Sequence, residues 1–191
     1  MKIGKILPAL AILAISFSSV NAQDAPKGFE KGKVMLADGS TVTGYVKEKI
    51  RGNASVTVIN DADKKKDNYD GNELLSAEVG DEKFVCIKGD FFKVINDGNL
   101  RFVQKSSDAS GKPIYNGNQA VFANGTEGKP GDYFFYNEST KTLKLITKKT
   151  ITAAADECLA GCDTAIAKAK AVSDDISQVG EAVAIYNNCG K

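Results

Sequence analysis

The pattern of apolar residues changes its period near Thr150, and this change constrains the fold more than any other feature of the chain. From residue 31 to about residue 147, short alternating runs are separated by turn dipeptides such as Asp38-Gly39 and Asp97-Gly98. Alternation between turns predicts antiparallel hairpins. Beyond Thr150, apolar residues recur every three or four positions, which predicts amphipathic helices.

The predicted strands cover residues 33–37, 40–46, 54–59, 83–87, 91–95, 100–103, 119–123, 133–136 and 143–146. Asp38-Gly39 is typical of a type I′ turn, which needs two residues with positive φ. The helical stripes run through residues 151–169 and 176–186, and Ser173-Asp174 supplies a predicted N-cap between them. This order predicts an α+β protein, with mostly antiparallel β-hairpins followed by a C-terminal helical hairpin packed on the sheet.

The N-terminal residues have the order of parts found in a secretory signal peptide. Lys2 and Lys5 precede an apolar run over residues 6–17, and the small-residue site 20–22 follows. We expect cleavage between Ala22 and Gln23. A run of about a dozen residues is shorter than the roughly 20 that a membrane-spanning helix needs. The sequence therefore predicts a secreted or periplasmic protein without a membrane span.

The same patterns predict how the chain is divided. Residues 1–22 form the signal peptide, and residues 23–30 form a flexible leader. Residues 31–149 form a β-rich region, either as one unit or as two sub-domains over 31–80 and 81–149. Residues 150–191 form the C-terminal helices.

The composition excludes several functional classes. The chain has no histidine, so it lacks Ser-His-Asp and Cys-His nucleophiles and imidazole metal ligands. Its 25 basic and 24 acidic residues give a net charge of +1, and a nucleic-acid-binding protein needs a larger basic excess. No motif indicates a cofactor or a metal. Residues 61–67 begin like a calcium loop, but Lys65 and Lys66 stand where an oxygen ligand and a glycine are required.

The four cysteines are Cys86, Cys158, Cys162 and Cys189, and an exported protein with an even number favours disulfides. If the first helix runs unbroken, Cys158 lies level with Cys189 on the second helix. If it breaks at Gly161, with Asp163 capping a new helix, Cys162 becomes the better partner. In each case the remaining helical cysteine is expected to pair with Cys86. Free buried thiols are the alternative.

Two groups of residues are candidates for a site. Aromatic residues are densest at residues 133–136, where Tyr133, Phe135 and Tyr136 are candidate binding aromatics for a glycan or a peptide, although core packing is the simpler interpretation. Four acidic residues lie near predicted strand ends and are candidates for the paired carboxylates of a glycoside hydrolase, namely Asp81, Glu82, Asp90 and Asp132. No catalytic residue can be assigned from this pattern.

Two segments carry a resemblance to known proteins. Residues 31–46 (KGKVMLADGSTVTGYV) and 162–189, which end in Tyr186-Asn187 and Cys189, resemble uncharacterised exported proteins of Bacteroidetes-type bacteria. The resemblance implies a periplasmic or secreted location, assigns no activity, and favours Cys162–Cys189 over Cys158–Cys189. The first hairpin also resembles the start of a small Sm-like or SH3-like barrel, which would cover residues 31–80.

Three hypotheses follow for function. The first is a non-catalytic binding or interaction module at the cell envelope, whose partner is a protein, a peptide or a glycan. The second is a histidine-free hydrolase that uses paired carboxylates. The third is a structural or assembly protein in which a sheet edge pairs with another chain. The oligomeric state is open in all three.

Overall fold

A computed structural model describes residues 25–111, 113–116, 119–122 and 125–189. The predicted signal peptide and its cleavage site at Ala22 and Gln23 lie outside these residues. The strands are β1 (Glu30–Leu36), β2 (Thr41–Glu48), β3 (Ser55–Asn60), β4 (Lys66–Asp70), β5 (Leu74–Val79), β6 (Glu82–Ile87), β7 (Asp90–Asn96), β8 (Leu100–Lys105), β9 (Pro113–Asn116), β10 (Gln119–Phe122), β11 (Tyr133–Asn137) and β12 (Thr142–Ile146).

The helices are α1 (Ile50–Asn53), α2 (Ile151–Cys158), α3 (Asp163–Ala171) and α4 (Val179–Asn188), with a 3₁₀ turn at Ile176–Gln178. Ten strands form one antiparallel sheet in the order β12-β11-β8-β7-β6-β5-β1-β2-β3-β4, and β9 and β10 pair with each other in a separate ribbon. The predicted α+β class, mostly antiparallel strands followed by C-terminal helices, is confirmed.

The register of the strands defines two faces of the sheet. Directly opposed residues lie on the same face, so Phe84, Lys93, Gln104 and Tyr133 form one row across β6, β7, β8 and β11. We call this the helix face, because Tyr133 packs with the C-terminal helices. The neighbouring row, on what we call the outer face, contains Met35, Ser76, Val85, Phe92 and Lys105.

Two apolar cores lie side by side on the helix face. At the β12 end, Phe102, Phe135 and Ile146 pack against α2, α3 and α4. At the β4 end, the sheet covers its own core, since one cluster joins side chains from β1, β2, β3, β5, β6 and β7 with Ile50 of α1. A flat sheet cannot bring β3 and β7 together at a strand spacing of about 4.8 Å. The sheet therefore curls, and a bridge between Gly71 and Gly89 joins the end of β4 to the β6–β7 turn.

The C-terminal helices differ in detail from the predicted helical hairpin. The first stripe is broken between Cys158 and Asp163, where Gly161 has a φ of 89°. Cys162 is the N-cap residue of α3, and Asp163 is in its first turn instead of capping it. The predicted N-cap at Ser173-Asp174 is wrong by one residue, because the Asp175 carboxylate accepts the hydrogen bond from Ser177 N.

The break selects one of the two disulfide alternatives. Cys162 and Cys189 form a disulfide with a Cα–Cα distance of 6.1 Å. The predicted second bridge is wrong, since Cys86 and Cys158 are both free. Their side chains pack on different cores, Cys86 at the β4 end and Cys158 among the helices.

The turn at Asp38-Gly39 is not the predicted type I′ turn. Gly39 has a φ of 86°, whereas Asp38 is not among the residues with positive φ. Leu36 O accepts a hydrogen bond from Gly39 N, and Leu36 N donates to Ser40 O. This is the three-residue hairpin loop, a type I turn followed by a left-handed residue. The two positive φ angles of a type I′ turn occur instead at Lys88-Gly89, where φ is 51° and 85°.

Candidate functional site

A shallow groove of about 380 Å³ lies on the outer face, at the strands between β1 and β11. Its floor is apolar. Met35 and Leu75 are 40% and 47% exposed, while Val85 and Tyr136 are almost fully buried and Val94 is half-buried. We refer to these five residues and their charged surround as the groove. A volume of this size is at the lower end of the range for small-molecule and side-chain sites.

A β-bulge places Leu75 in the groove. Met35 is opposed by Ser76 and Leu36 by Leu74, so Leu75 is an extra residue in β5. A bulge sets two residues of one strand against one residue of the other and turns an additional side chain outward. Leu75 is therefore exposed beside Met35, in a strand where regular alternation would not place it there.

The rim of the groove is a chain of ion pairs. Lys83 lies 3.7 Å from Asp97, whose carboxylate also accepts a 2.8 Å bond from Arg101. Arg101 reaches Glu138 as well, and Glu138 pairs with Lys141. The hydrogen bond to Glu138 raises the pKa of Lys141, so this ammonium stays charged.

The residues that line the groove carry equal numbers of positive and negative charges. The carboxylates that line the groove are those of Glu78, Asp97 and Glu138, and the cations are Lys83, Arg101 and Lys141. Asp97 and Glu138 pair with these three cations, and Glu78 pairs with Lys33 next to the lining. The rim therefore offers no large excess of either sign. Its chemistry suits a ligand that is uncharged and partly apolar.

A second polar cluster lies on the same face, under the segment 106–132. Asp90 and Lys105 are both fully buried, and Lys105 Nζ lies 3.1 Å from Asp90 Oδ2. Asp90 also accepts bonds from Ala109 N at 2.6 Å, Thr126 N at 2.7 Å and Thr126 Oγ1 at 2.6 Å. We call this cluster the clamp.

The ammonium of Lys105 completes the clamp. It donates to the carbonyl oxygens of Thr126 at 2.9 Å and Gly128 at 3.1 Å, and lies 3.4 Å from that of Glu127. Ser107 Oγ accepts a bond from Phe91 N at 2.8 Å. Residues 107–109 and 126–128 are thereby fixed to β7 and β8. Since the buried groups are bonded to one another and shielded from water, the clamp has a structural role.

A third apolar cluster, which we call the outer-face core, lies beside the clamp and consists of Val85, Phe92, Val103, Phe134 and Tyr136. Phe92 and Phe134 meet edge to face with centroids 5.3 Å apart. Gly128 lies directly on Phe134, where an added Cβ would come within 2.9 Å of Phe134 Cζ. The φ of Gly128 is 73°, which also favours glycine. Gly128 therefore covers Phe134 on the outer face, and the groove lies elsewhere on the same face.

A polar cleft of about 310 Å³ lies on the helix face, between α1 and strands β6–β8. Glu48, Arg51, Lys93 and Gln104 line it, together with Glu82. Glu48 and Glu82 are exposed, and Glu82 pairs with Lys93. The paired carboxylates of a glycosidase must both face the substrate, whereas Glu82 is engaged by Lys93.

The three candidate binding aromatics do not form one strip. Tyr133 stacks on Phe102 with centroids 5.1 Å apart, and Phe135 is 1% exposed in the helix-face core. Only Tyr136 lies on the outer face, where it forms part of the groove floor. Adjacent strand residues point to opposite faces, so the run 133–136 is divided between two cores.

The candidate carboxylates also separate. Asp90 is in the clamp, Glu82 is in the polar cleft, and Asp132 accepts a bond from Lys129 N. Asp81 is exposed in the β5–β6 turn. Among the described residues, no three His, Cys, Asp or Glu side chains are close enough together to hold a metal ion.

Sequence reasoning missed most of the groove. Met35 and Val94 belong to predicted strands, but Leu75 lies in a strand that was not predicted. Nothing in the sequence around Arg101 indicates that this residue lies at the rim of a groove. The doublet Leu74-Leu75 is the one trace of the bulge in the sequence, because it interrupts the alternation of β5.

No protein-family model, no curated protein and no solved structure matches the chain. Within the described ranges, 25–111 and 125–189 included, the helices are too short or too polar to cross a bilayer.

Proposed function

We propose that this protein is a non-catalytic binding module and that the groove is its ligand site. The observation that carries the proposal is the apolar floor with Met35 and Leu75 exposed, inside a rim whose charges pair with one another. Isolated exposed apolar residues are ordinary on protein surfaces. Here two of them adjoin a concave site and continue into the outer-face core through Val85 and Tyr136.

The groove favours a peptide over a glycan. Glycans stack on exposed aromatic rings, and Tyr136 is only 6% exposed. An aliphatic or aromatic side chain of a peptide would instead cover Met35 and Leu75, while its backbone amides could bond to the charged rim. We therefore assign the groove to short peptide segments that carry little net charge.

We also propose that this binding takes place outside the cytoplasm, at the cell envelope. The N-terminal sequence has the order of a signal peptide. The disulfide between Cys162 and Cys189 agrees with an oxidising compartment. The resemblance to exported proteins of Bacteroidetes-type bacteria supports the same location. Fractionation of cells that express the full chain, with N-terminal sequencing of the product, tests it; an unprocessed chain in the cytoplasm would contradict it.

Selection of peptides from a random library tests the groove. Selected peptides should bind the wild type and bind Leu75→Ser at least about tenfold more weakly, because a buried leucine side chain contributes about 1.5–3 kcal/mol. Ile185→Ser is the matched control, since Ile185 is a comparably exposed apolar residue on α4. Peptides that bind both variants like the wild type would contradict the assignment, as would peptides that lose affinity only for Ile185→Ser.

A further inference from the structure

The two edges of the ten-stranded sheet differ in their side chains. Strand β4 ends one side, and three of its five residues are charged, namely Lys66, Asp67 and Asp70. Strand β12 ends the other, and among the described residues no strand pairs with its outer side. An edge strand offers unpaired N–H and C=O groups to another chain, and charges or other devices usually block such pairing.

Strand β12 carries one charge between two leucines. Leu143 and Leu145 are half-buried on the outer face, opposite Tyr136 and Phe134. Lys144 is on the helix face and forms an ion pair with Glu157 of α2. A strand added beside β12 would therefore meet apolar surface on one face and a cation on the other.

The single charge discriminates between partners. If two copies of β12 paired antiparallel over all five residues, Lys144 would lie directly opposite Lys144 of the other copy. Like charges at directly opposed positions are destabilising, whereas opposite charges stabilise the pair. The edge is thus unfavourable for self-association and complementary to a strand with an acidic residue at the central position.

We propose that the outer edge of β12 binds an extended segment of a different polypeptide, with an acidic residue opposite Lys144 and apolar residues opposite Leu143 and Leu145. The segment would continue the antiparallel sheet by backbone hydrogen bonds, a recognised mode of peptide recognition. Its carboxylate would compete with Glu157 for Lys144. Glu157 is 66% exposed and can return to water when displaced. The edge adjoins the groove at Tyr136 but binds through the backbone of β12 and through Lys144, neither of which lines the groove, so the inference goes beyond the proposed function.

The test uses two synthetic heptapeptides, one with a central valine-glutamate-valine and one with valine-lysine-valine, titrated into isotopically labelled protein. We expect the glutamate peptide to shift the amide signals of residues 142–146 and to slow their hydrogen exchange. It should bind about tenfold more tightly than the lysine peptide, and Lys144→Glu should reverse this preference. Glu157→Gln, which removes the competing carboxylate, should strengthen binding about threefold.

Two controls separate this inference from its alternatives. Leu75→Ser should leave the heptapeptide affinity unchanged, because Leu75 lies in the groove. N-methylation of alternate peptide amides should abolish binding in one pattern and preserve it in the other, since only alternate amides face the edge. Shifts confined to groove residues, the absence of saturable shifts at the solubility limit, or a concentration-dependent dimer broken by Lys144→Glu would each overturn the proposal.

Discussion

The clamp and the groove lie on one row of the outer face, yet they use polar groups in opposite ways. One row of directly opposed residues runs from the groove, through Met35, Ser76 and Val85, to Phe92 and then to Lys105 of the clamp. In the clamp, buried charges bond to each other and to backbone groups. In the groove, exposed charges surround an apolar floor that stays open.

On the proposed assignment of the groove as the ligand site, the densest polar cluster is not the functional site. Asp90 and Lys105 are a buried carboxylate and a buried amine, which is a pattern often associated with catalysis. Their partners are all supplied by the chain, so no group remains for a ligand. The groove has weaker polar features but retains apolar surface that a partner can cover.

Removing the cation of the clamp should have the largest effect on stability. Lys105→Met leaves the buried Asp90 carboxylate without its countercharge and leaves three carbonyl groups without a donor. Loss of one partner of a buried pair costs about 3–5 kcal/mol. Urea unfolding measures this change in the free energy of unfolding.

The matched control is Lys93→Met, whose ion pair with Glu82 is exposed and should contribute less than about 1 kcal/mol. The double variant Asp90→Asn with Lys105→Met should recover part of the loss, because no unpaired charge remains. If Lys105→Met costs no more than Lys93→Met, the contrast between clamp and groove fails.

The disulfide provides a comparison on the opposite face. The double variant Cys162→Ala with Cys189→Ala removes a disulfide between residues 27 positions apart. The loop-entropy relation predicts that the free energy of unfolding falls by about 3.5 kcal/mol. Because the bridge ties helices on the helix face, the amide signals of the groove should keep their positions. Urea unfolding measures the loss of stability, and amide spectra show whether the groove signals move. Cys158→Ala, which removes a free thiol, should cost at most about 1 kcal/mol; equal losses would refute the assigned pairing.

The third prediction concerns the pH dependence of stability that is due to Cys86. This residue of strand β6 faces the helix-face core, whereas its neighbour Val85 faces the groove. Burial, with a smaller contribution from Asp70, raises the pKa of the Cys86 thiol above its usual 9.0. Above pH 9 the Cys86 thiol loses its proton in the unfolded chain but keeps it in the folded protein. The free energy of unfolding should therefore fall as pH rises past 9, by up to about 1.4 kcal/mol per pH unit.

Urea unfolding between pH 8 and pH 10 measures this dependence. Other groups titrate in the same range, so the informative quantity is the difference in slope between the wild type and Cys86→Ala. The variant should lose the component due to the thiol. Identical slopes would show that Cys86 is not held protonated by the fold.

The elements that could be predicted are those whose sequence keeps a regular period. Strands β1, β7, β11 and β12 alternate between turn signals and lie near their predicted positions. Strand β4 was missed because KDNYD is too polar to resemble a strand, and β5 because Leu74-Leu75 interrupts the alternation. For the first helical stripe, the sequence left an unbroken helix and a break at Gly161 as alternatives, because the apolar residues continue across the break; the structure has the break.

The groove could not be predicted because it depends on contacts between distant segments. Met35 meets Ser76 through the pairing of β1 with β5, and Tyr136 meets Arg101 through the pairing of β11 with β8 across the inserted segment 106–132. Local propensity does not determine such pairings. The clamp was hidden for the same reason, because Asp90 and Thr126 are joined only when that segment folds back.

The smallest stability effect is expected at the rim of the groove. Arg101→Gln removes the cation that joins Asp97 and Glu138, and both carboxylates remain hydrated at the surface. Exposed ion pairs contribute about 1 kcal/mol or less, so the free energy of unfolding measured with urea should fall by no more than that. The rim loses one positive charge, so peptides selected on this variant should carry more basic residues than those selected on the wild type. Lys141→Gln, at a more exposed position, is the control and should shift both quantities less. A loss of stability as large as that of Lys105→Met would make the rim a second clamp and would remove the distinction on which the binding proposal depends.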